Sequence, residues 1–236
     1  KYIVGLGEAL WDMLPSGKKL GGAPANFVYH ISQFGLNGLA VSAIGDDELG
    51  AEIVETFEKS GVPHHFQIVG FPTSTVQVTL NDKGVPRYEI VEGVAWDNME
   101  FTEELKEIAE NTECVCFGSL AQRNAVSRET IKRFLEAMPT NSLKVFDINL
   151  RQSFYTQEVI EDSLKASSIL KINDDEIKLV AEMFGYDPNE EYESLCNRLL
   201  EEYDLKIVIL TCGTEGSYVV SAEGCSFLPT PEVKVA

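Results

Sequence analysis

Six short apolar runs, separated by helix-forming stretches, restrict this chain to the α/β class. They are KYIVGLG (1–7), LAVSAIG (39–45), CVCFGSL (114–120), KVFDINL (144–150), SSILKIN (167–173) and KIVILTC (206–212). Continuous runs of Val, Ile, Leu and Cys suit parallel strands covered on both faces, whereas half-exposed strands alternate. Between the runs, Phe27, Val28, Ile31 and Phe34 recur at helical spacing before Gly35, and Ile53, Val54 and Phe57 before Gly61. Thr102 is placed to cap a helix carrying Leu105, Ile108 and Ala109, and Ser127 one carrying Ile131, Phe134, Leu135 and Met138. Ile177, Val180 and Phe184 precede a stop at Gly185. This alternation predicts a doubly wound, mostly parallel sheet with helices on both faces and sites at the C-terminal ends of its strands.

Two stretches break the rhythm. STVQVTL (74–80) and RYEIVEG (87–93) alternate in polarity and flank NDKG, where Asn81, Asp82 and Gly84 favour a turn, so the region reads as an antiparallel hairpin. MLPSGKKLGG (13–22) follows the first strand as a second excursion. Residues alone leave two readings open: a small sheet covering a site, or two surface loops. GSYVVSAEGCSFLP (216–229) reads as a further hairpin.

Composition narrows the functions. The chain has 38 acidic against 19 basic residues, a net charge of -19, which repels phosphate backbones and anionic membranes and argues against nucleic-acid and membrane partners. An anionic small molecule is still admissible where a local positive field meets it. Cys114, Cys116, Cys196, Cys212 and Cys225 are odd in number and scattered, so they read as free thiols of a reducing compartment. No run approaches the length of a membrane helix, and the N-terminus enters a strand pattern directly, so the expectation is a cytoplasmic protein.

Gly5-Leu6-Gly7 opens like a dinucleotide fingerprint, but Leu10 stands at the sixth position, and Glu8 and Asp12 would repel a pyrophosphate. Asp12, just beyond the first strand, reads either as an acceptor for ligand hydroxyls or as a solvated loop acid. Gly21-Gly22-Ala23-Pro24-Ala25-Asn26 precedes the first helix pattern. Its glycines allow close backbone approach, Pro suits a first helical turn, and Asn26 offers a donor and an acceptor to a polyol. An ordinary helix entry is the competing reading. His30, His64 and His65 have no metal-ligand spacing, and Gly118-Ser119 forms no nucleophile elbow. The acid-rich stretch 187–204 reads as a solvated helix.

GEALWD followed by GGAPAN resembles the PfkB (ribokinase-like) family of carbohydrate kinases, and GGAPAN in particular resembles its fructokinases. Four further blocks agree in order: Ile44 to Gly50 with the family's G-D-D-x-x-G turn, Phe146 to Arg151 with D-x-N-x-R, Asn173 to Glu176 with N-x-x-E, and Thr211 to Ser217 with T-x-G-x-x-G-S. The resemblance spans essentially the whole chain. It implies a ribokinase-like fold with a β lid over the sugar site, assembled from 13–20 and 70–96, and a core from 1–12, 21–69 and 97–236 whose C-terminal part is absent. It implies ATP-dependent phosphorylation of a sugar hydroxyl, fructose above all, with Mg²⁺ and with K⁺ as a further candidate ion.

By the same resemblance, Asp12, Gly21, Gly22 and Asn26 hold the sugar, and Arg151 contacts the sugar or the transferring phosphoryl group. Asn173, Thr211, Gly213 and Gly216 face the nucleotide, and Glu176 meets Mg²⁺ through water. Read as residues alone, Arg151 fits a surface ion pair, Glu176 a first-turn helix acid, and the two glycines a hairpin turn. The family's D-T-x-G-A-G-D block, which supplies an anion hole and the catalytic base, does not occur before Ala236. The expectation is a truncated kinase in which Asp12, Asp147 and Asp174 cannot be promoted to base. Kinases of ribose or 2-keto-3-deoxygluconate, and a non-catalytic sugar-binding protein, are the alternatives. A homodimer through the lid strands is also expected, because an exposed hairpin leaves unpaired edges.

Overall fold

The computed structural model describes residues 1–80 and 86–232, so the turn expected at Asn81, Asp82 and Gly84 and the end of the chain at Ala236 lie outside the described residues. The chain divides into two compact units, 1–142 and 143–236. Each is described by itself.

The first unit runs β1 (Tyr2–Leu6), β2 (Leu10–Leu14), β3 (Gly17–Gly21), α1 (Ala23–Gln33), β4 (Gly38–Gly45), α2 (Glu48–Ser60) and β5 (His64–Val69). It continues through β6 (Ser74–Leu80), β7 (Pro86–Ile90), α3 (Glu103–Glu110), β8 (Thr112–Gly118) and α4 (Ala125–Ala137). Its main sheet has the order β8-β1-β4-β5, with neighbouring strands parallel. All eight residues of β4 are buried, as a continuous apolar run predicts.

The two irregular stretches pair with each other. They build a small second sheet in the order β3-β2-β6-β7, in which β2 runs parallel to β6 and both outer pairs are antiparallel. Trp11 of β2 fixes that sheet to the body. It is buried with Ala25, Val28, Ile44, Ile53 and Phe57, and its indole Nε1 donates to the Leu49 carbonyl at 3.0 Å. His64 opens the edge strand β5, stacked on Phe66 and edge-on to Phe57, which is a packing role.

Local signals explain the helix ends. Thr102 accepts from the Leu105 N–H, and Asp47 from the Gly50 N–H. Gly61 and Gly185 end α2 and the later helix α6 (Asp174–Phe184) with φ of 67° and 77°, the left-handed conformation that glycine adopts without strain. Ser127 departs from expectation. Asn124 caps α4, while Ser127 lies inside the helix, donating to the Trp96 carbonyl and accepting from the Met99 N–H. A fully buried hydroxyl needs partners, and two backbone groups supply them.

The second unit comprises β9 (Leu143–Asp147), α5 (Gln157–Ala166), β10 (Ile169–Asn173), α6, α7 (Tyr192–Glu202), β11 (Ile207–Cys212), β12 (Gly216–Ser221) and β13 (Gly224–Pro229). Strands β9, β10 and β11 are parallel neighbours; β11, β12 and β13 continue as an antiparallel meander. The strand expected over 144–150 shortens here: β9 stops at Asp147, so Asn149 to Arg151 form a loop. The acid-rich stretch is helical only over α7, which buries Leu195, Cys196, Leu199 and Leu200 and so is more than a solvated surface. All five cysteines are free, and Cys225 is exposed. Among the described residues no helix is long and apolar enough to cross a membrane.

Candidate functional site

Asp12, Gly21, Gly22 and Asn26 all belong to the first unit, around the entry to α1. Asp12 lies within β2, opposite Lys19 of β3, and so does not fit the competing reading of a loop acid. Its carboxylate faces Gly21 so closely that a Cβ built there would stand 2.5 Å from Asp12 Oδ2. Gly22 has φ 108° and ψ 120°, and a Cβ on it would fall 2.2 Å from the Glu8 carbonyl oxygen. Close approach therefore requires glycine at both positions, and at Gly22 the positive φ requires it as well. Pro24 stands in the first turn of α1, and the absent side chain of Gly5 lets the Pro24 carbonyl approach β1, where a Cβ would lie 2.2 Å away. Asn26 is exposed in the first turn, its backbone N–H bonded to the Gly22 carbonyl.

Sequence reasoning took Glu8 only as an obstacle to a pyrophosphate. It is 2% exposed and its Oε1 accepts from the Ala23 N–H at 3.4 Å, at the positive end of α1. The visible signal was an acid directly after the first strand, in a position where most acids are solvated. Asp47, in the G-D-D-x-x-G turn, is a further organiser. Its oxygens accept from the Gly50 and Thr73 N–H groups at 2.8 Å each, and the Thr73 hydroxyl accepts from the Gly45 N–H. Burial alone would raise its pKa, but the hydrogen bonds from Thr73, Gly50 and Leu49 together hold the carboxyl below its ordinary value.

The remaining expected residues belong to the second unit. Asn173 ends β10 directly beside Thr211 of β11. Asn173 Oδ1 accepts from the Asp175 and Glu176 N–H groups, and Glu176 Oε2 accepts in return from the Asn173 N–H at 3.0 Å. This is a reciprocal capping box. The other carboxylate oxygen, Glu176 Oε1, accepts from the Leu150 N–H at 2.9 Å. Arg151, the next residue, is exposed and its Nη1 donates to the Leu150 carbonyl. Asp147 pairs with Lys171 at 3.1 Å.

Gly213 and Gly216 flank the turn between β11 and β12, and they differ. Gly213 has φ 51° with open space around it, whereas a Cβ on Gly216 would lie 2.4 Å from the Leu228 carbonyl of β13. Hairpin packing thus accounts for Gly216, and Gly213 offers an open backbone. Burial, with Asp174 and Glu215 adding to it, raises the Cys212 thiol above its ordinary pKa, so the residue before this turn is neutral.

For a metal ion the donor set is thin. Glu176 is 6% exposed with a backbone N–H on each oxygen, and no group of three His, Cys, Asp or Glu side chains able to hold a metal occurs among the described residues. The geometry does not fit a resident, protein-held ion.

The family model described as pfkB family carbohydrate kinase matches residues 16–236. An uncharacterized sugar kinase of Pyrococcus horikoshii is 29% identical over 193 residues, 74% of this chain and 62% of that protein, so this chain spans less than two thirds of its length in that match. The crystal structure of the same protein superposes with a TM-score of 0.83 at 24% identity, covering 99% of this chain and 78% of the other. An ATP-dependent 6-phosphofructokinase of Thermoanaerobacterium thermosaccharolyticum is 29% identical over 94% of this chain and 72% of its own length. A fructokinase of Escherichia coli is 28% identical over 91% of this chain and 72% of its own. Ordered motifs, fold and family match coincide along the chain, which therefore belongs to the PfkB family of carbohydrate kinases.

Proposed function

We propose that this protein transfers the γ-phosphoryl group of ATP to a hydroxyl of a small sugar, D-fructose in the first place. The observation that carries this reading is the Asp12 carboxylate set against Gly21, with Gly22 packed against the Glu8 carbonyl at the entry to α1. A carboxylate beside backbone that no side chain obstructs is suited to vicinal hydroxyls, which donate to its oxygens. Asn26, in the same helical turn, adds a donor and an acceptor.

In the reaction, the sugar hydroxyl oxygen forms the new P–O bond as the bond from the γ-phosphorus to the bridging oxygen of ADP breaks. The hydroxyl proton leaves to a base, a role assigned to none of Asp12, Asp147 or Asp174. Catalysis of this kind is chiefly positioning and charge stabilisation. Arg151 supplies a fixed cation for the sugar or the phosphoryl group. Asn173, Thr211, Gly213 and Gly216 attend the nucleotide, with Gly213 the position of open backbone. Mg²⁺ enters with ATP as part of the co-substrate, and turnover compared with and without added K⁺ tests K⁺ as a further ion.

The small sheet is proposed as a lid over the sugar. Its outer strands, β3 and β7, end the sheet and provide backbone edges for pairing with a second copy. The free thiols agree with a cytoplasmic setting.

The relationship to a 6-phosphofructokinase over 94% of this chain favours one second reading, fructose 6-phosphate as acceptor. The full-length protein, assayed with ATP and Mg²⁺ on fructose, fructose 6-phosphate, 2-keto-3-deoxygluconate and ribose, should turn over fructose fastest. Preference for another acceptor rejects the substrate, and no turnover of any rejects the kinase reading. Sedimentation showing only monomer removes the lid-paired dimer.

A further inference from the structure

The loop after β9 holds an unusual backbone. Three described non-glycine residues have positive φ, and two of them, Asn149 at 43° and Gln152 at 50°, bracket Leu150 and Arg151. Such conformations persist only where the surroundings impose them. The loop's backbone hydrogen bonds include those from the Ile148 N–H to the Lys171 carbonyl, from the Phe154 N–H to the Arg151 carbonyl and from the Leu150 N–H to Glu176 Oε1. The last is made to a charged acceptor 26 residues away in sequence. Its carboxylate is buried, and its other oxygen is held by the Asn173 N–H at the start of α6. One side chain therefore joins the Asn173 cap to the residue preceding Arg151.

We propose that Glu176 is a positioning residue: its carboxylate clamps the strained 149–152 loop to the start of α6 and so sets where Arg151 is presented. This assigns the acid to backbone geometry in place of the water-mediated Mg²⁺ contact expected from the motif. It rests on the reading of Arg151 as a contact for sugar or phosphoryl group. Glutamine keeps one acceptor oxygen but turns a donor toward the second N–H, so Glu176→Gln opens one arm of the clamp with little change in volume. Glu176→Asp keeps the charge and withdraws its reach.

Two measurements on the full-length enzyme test it. In Glu176→Gln and Glu176→Asp, hydrogen exchange at the Leu150 amide should quicken at least about tenfold, as loss of a charge-assisted hydrogen bond implies, while amides of β10 and β11 stay as protected as before. In kinetics, Glu176→Gln should lower kcat/KM by about 100-fold, the scale of a small misplacement of a reacting group. That loss should nearly vanish in an Arg151→Ala background. Unchanged Leu150 exchange overturns the clamp. A loss additive with that of Arg151→Ala, or one recovered by raising Mg²⁺, overturns the route through Arg151. An Arg151→Ala enzyme of undiminished turnover refutes the Arg151 reading and not the clamp, which the Leu150 amide still tests.

Discussion

Replacing Arg123 with methionine would leave one buried carboxylate without its counter-charge. Arg123 Nε and Nη2 donate to the two oxygens of Asp97, each at 2.8 Å, and Nη2 also reaches the Val91 carbonyl at 2.6 Å. The guanidinium stacks over the Trp96 ring at 4.2 Å, and the two charged side chains are only 5% and 2% exposed. In Arg123→Met the apolar stem is largely preserved, and Asp97 keeps the Gly93 and Val94 N–H donors to Oδ2. The loss is therefore mainly the stranded charge. Breaking a buried pair from one side costs about 3–5 kcal/mol, a large part of the roughly 5–15 kcal/mol that holds a typical fold. At about 2–4 °C per kcal/mol for this chain length, Tm should fall by about 6–20 °C. Thermal unfolding followed by near-ultraviolet circular dichroism measures it. Adding Asp97→Asn should recover at least half the loss by removing the uncompensated charge. An Arg123→Met protein melting within about 2 °C of the parent, or a double variant less stable than the single, would refute the reasoning.

Other outcomes follow from the same geometry. Gly22→Ala should destabilise by more than the roughly 1–3 kcal/mol of backbone strain alone, because its Cβ meets the Glu8 carbonyl; Gly17→Ala, at φ 120° with open space, should lose only the strain, and equal urea midpoints would contradict this. Asp12→Ala should weaken sugar binding, read by calorimetry on the full-length protein, while ATP affinity stays nearly constant; unchanged sugar affinity removes Asp12 as a hydroxyl ligand. Asp47 has a folded pKa held below the ordinary 3.8, so its stabilisation is complete above that value and is lost as pH falls through the folded pKa. The stability gap between Asp47→Asn and the parent should accordingly be full at neutral pH and narrow below about pH 4; a gap constant with pH would contradict the assignment.

Much of this molecule could be read locally. Strand positions, the Thr102 cap and the stops at Gly61 and Gly185 followed from periodicity and backbone preference, because these depend on residues within a turn or two. The capping box at Asn173 and Glu176 has the local spacing of its type, three residues apart, the same spacing that the N-x-x-E block carries. Ser127 failed for an instructive reason: a hydroxyl at the start of a helix pattern resembles a cap unless its buried partners, Trp96 and Met99, are known. Those partners lie some thirty residues away, beyond any local rule.

The sequence alone determined the α/β class, the order of the family's blocks and which residues stand as candidates for sugar and nucleotide contact. Each is written in short stretches whose chemistry does not depend on distant contacts. Tertiary structure alone decided that β2 and β3 join β6 and β7 in one sheet, that Asp12 stands within a strand against Gly21, and that Asp97 and Arg123 neutralise each other inside the first unit. It also decided that Glu176 spends both oxygens on backbone N–H groups. Burial and partner choice are set by which distant segments are packed together, and a charged side chain with the same local sequence can be solvated, paired or used as a clamp.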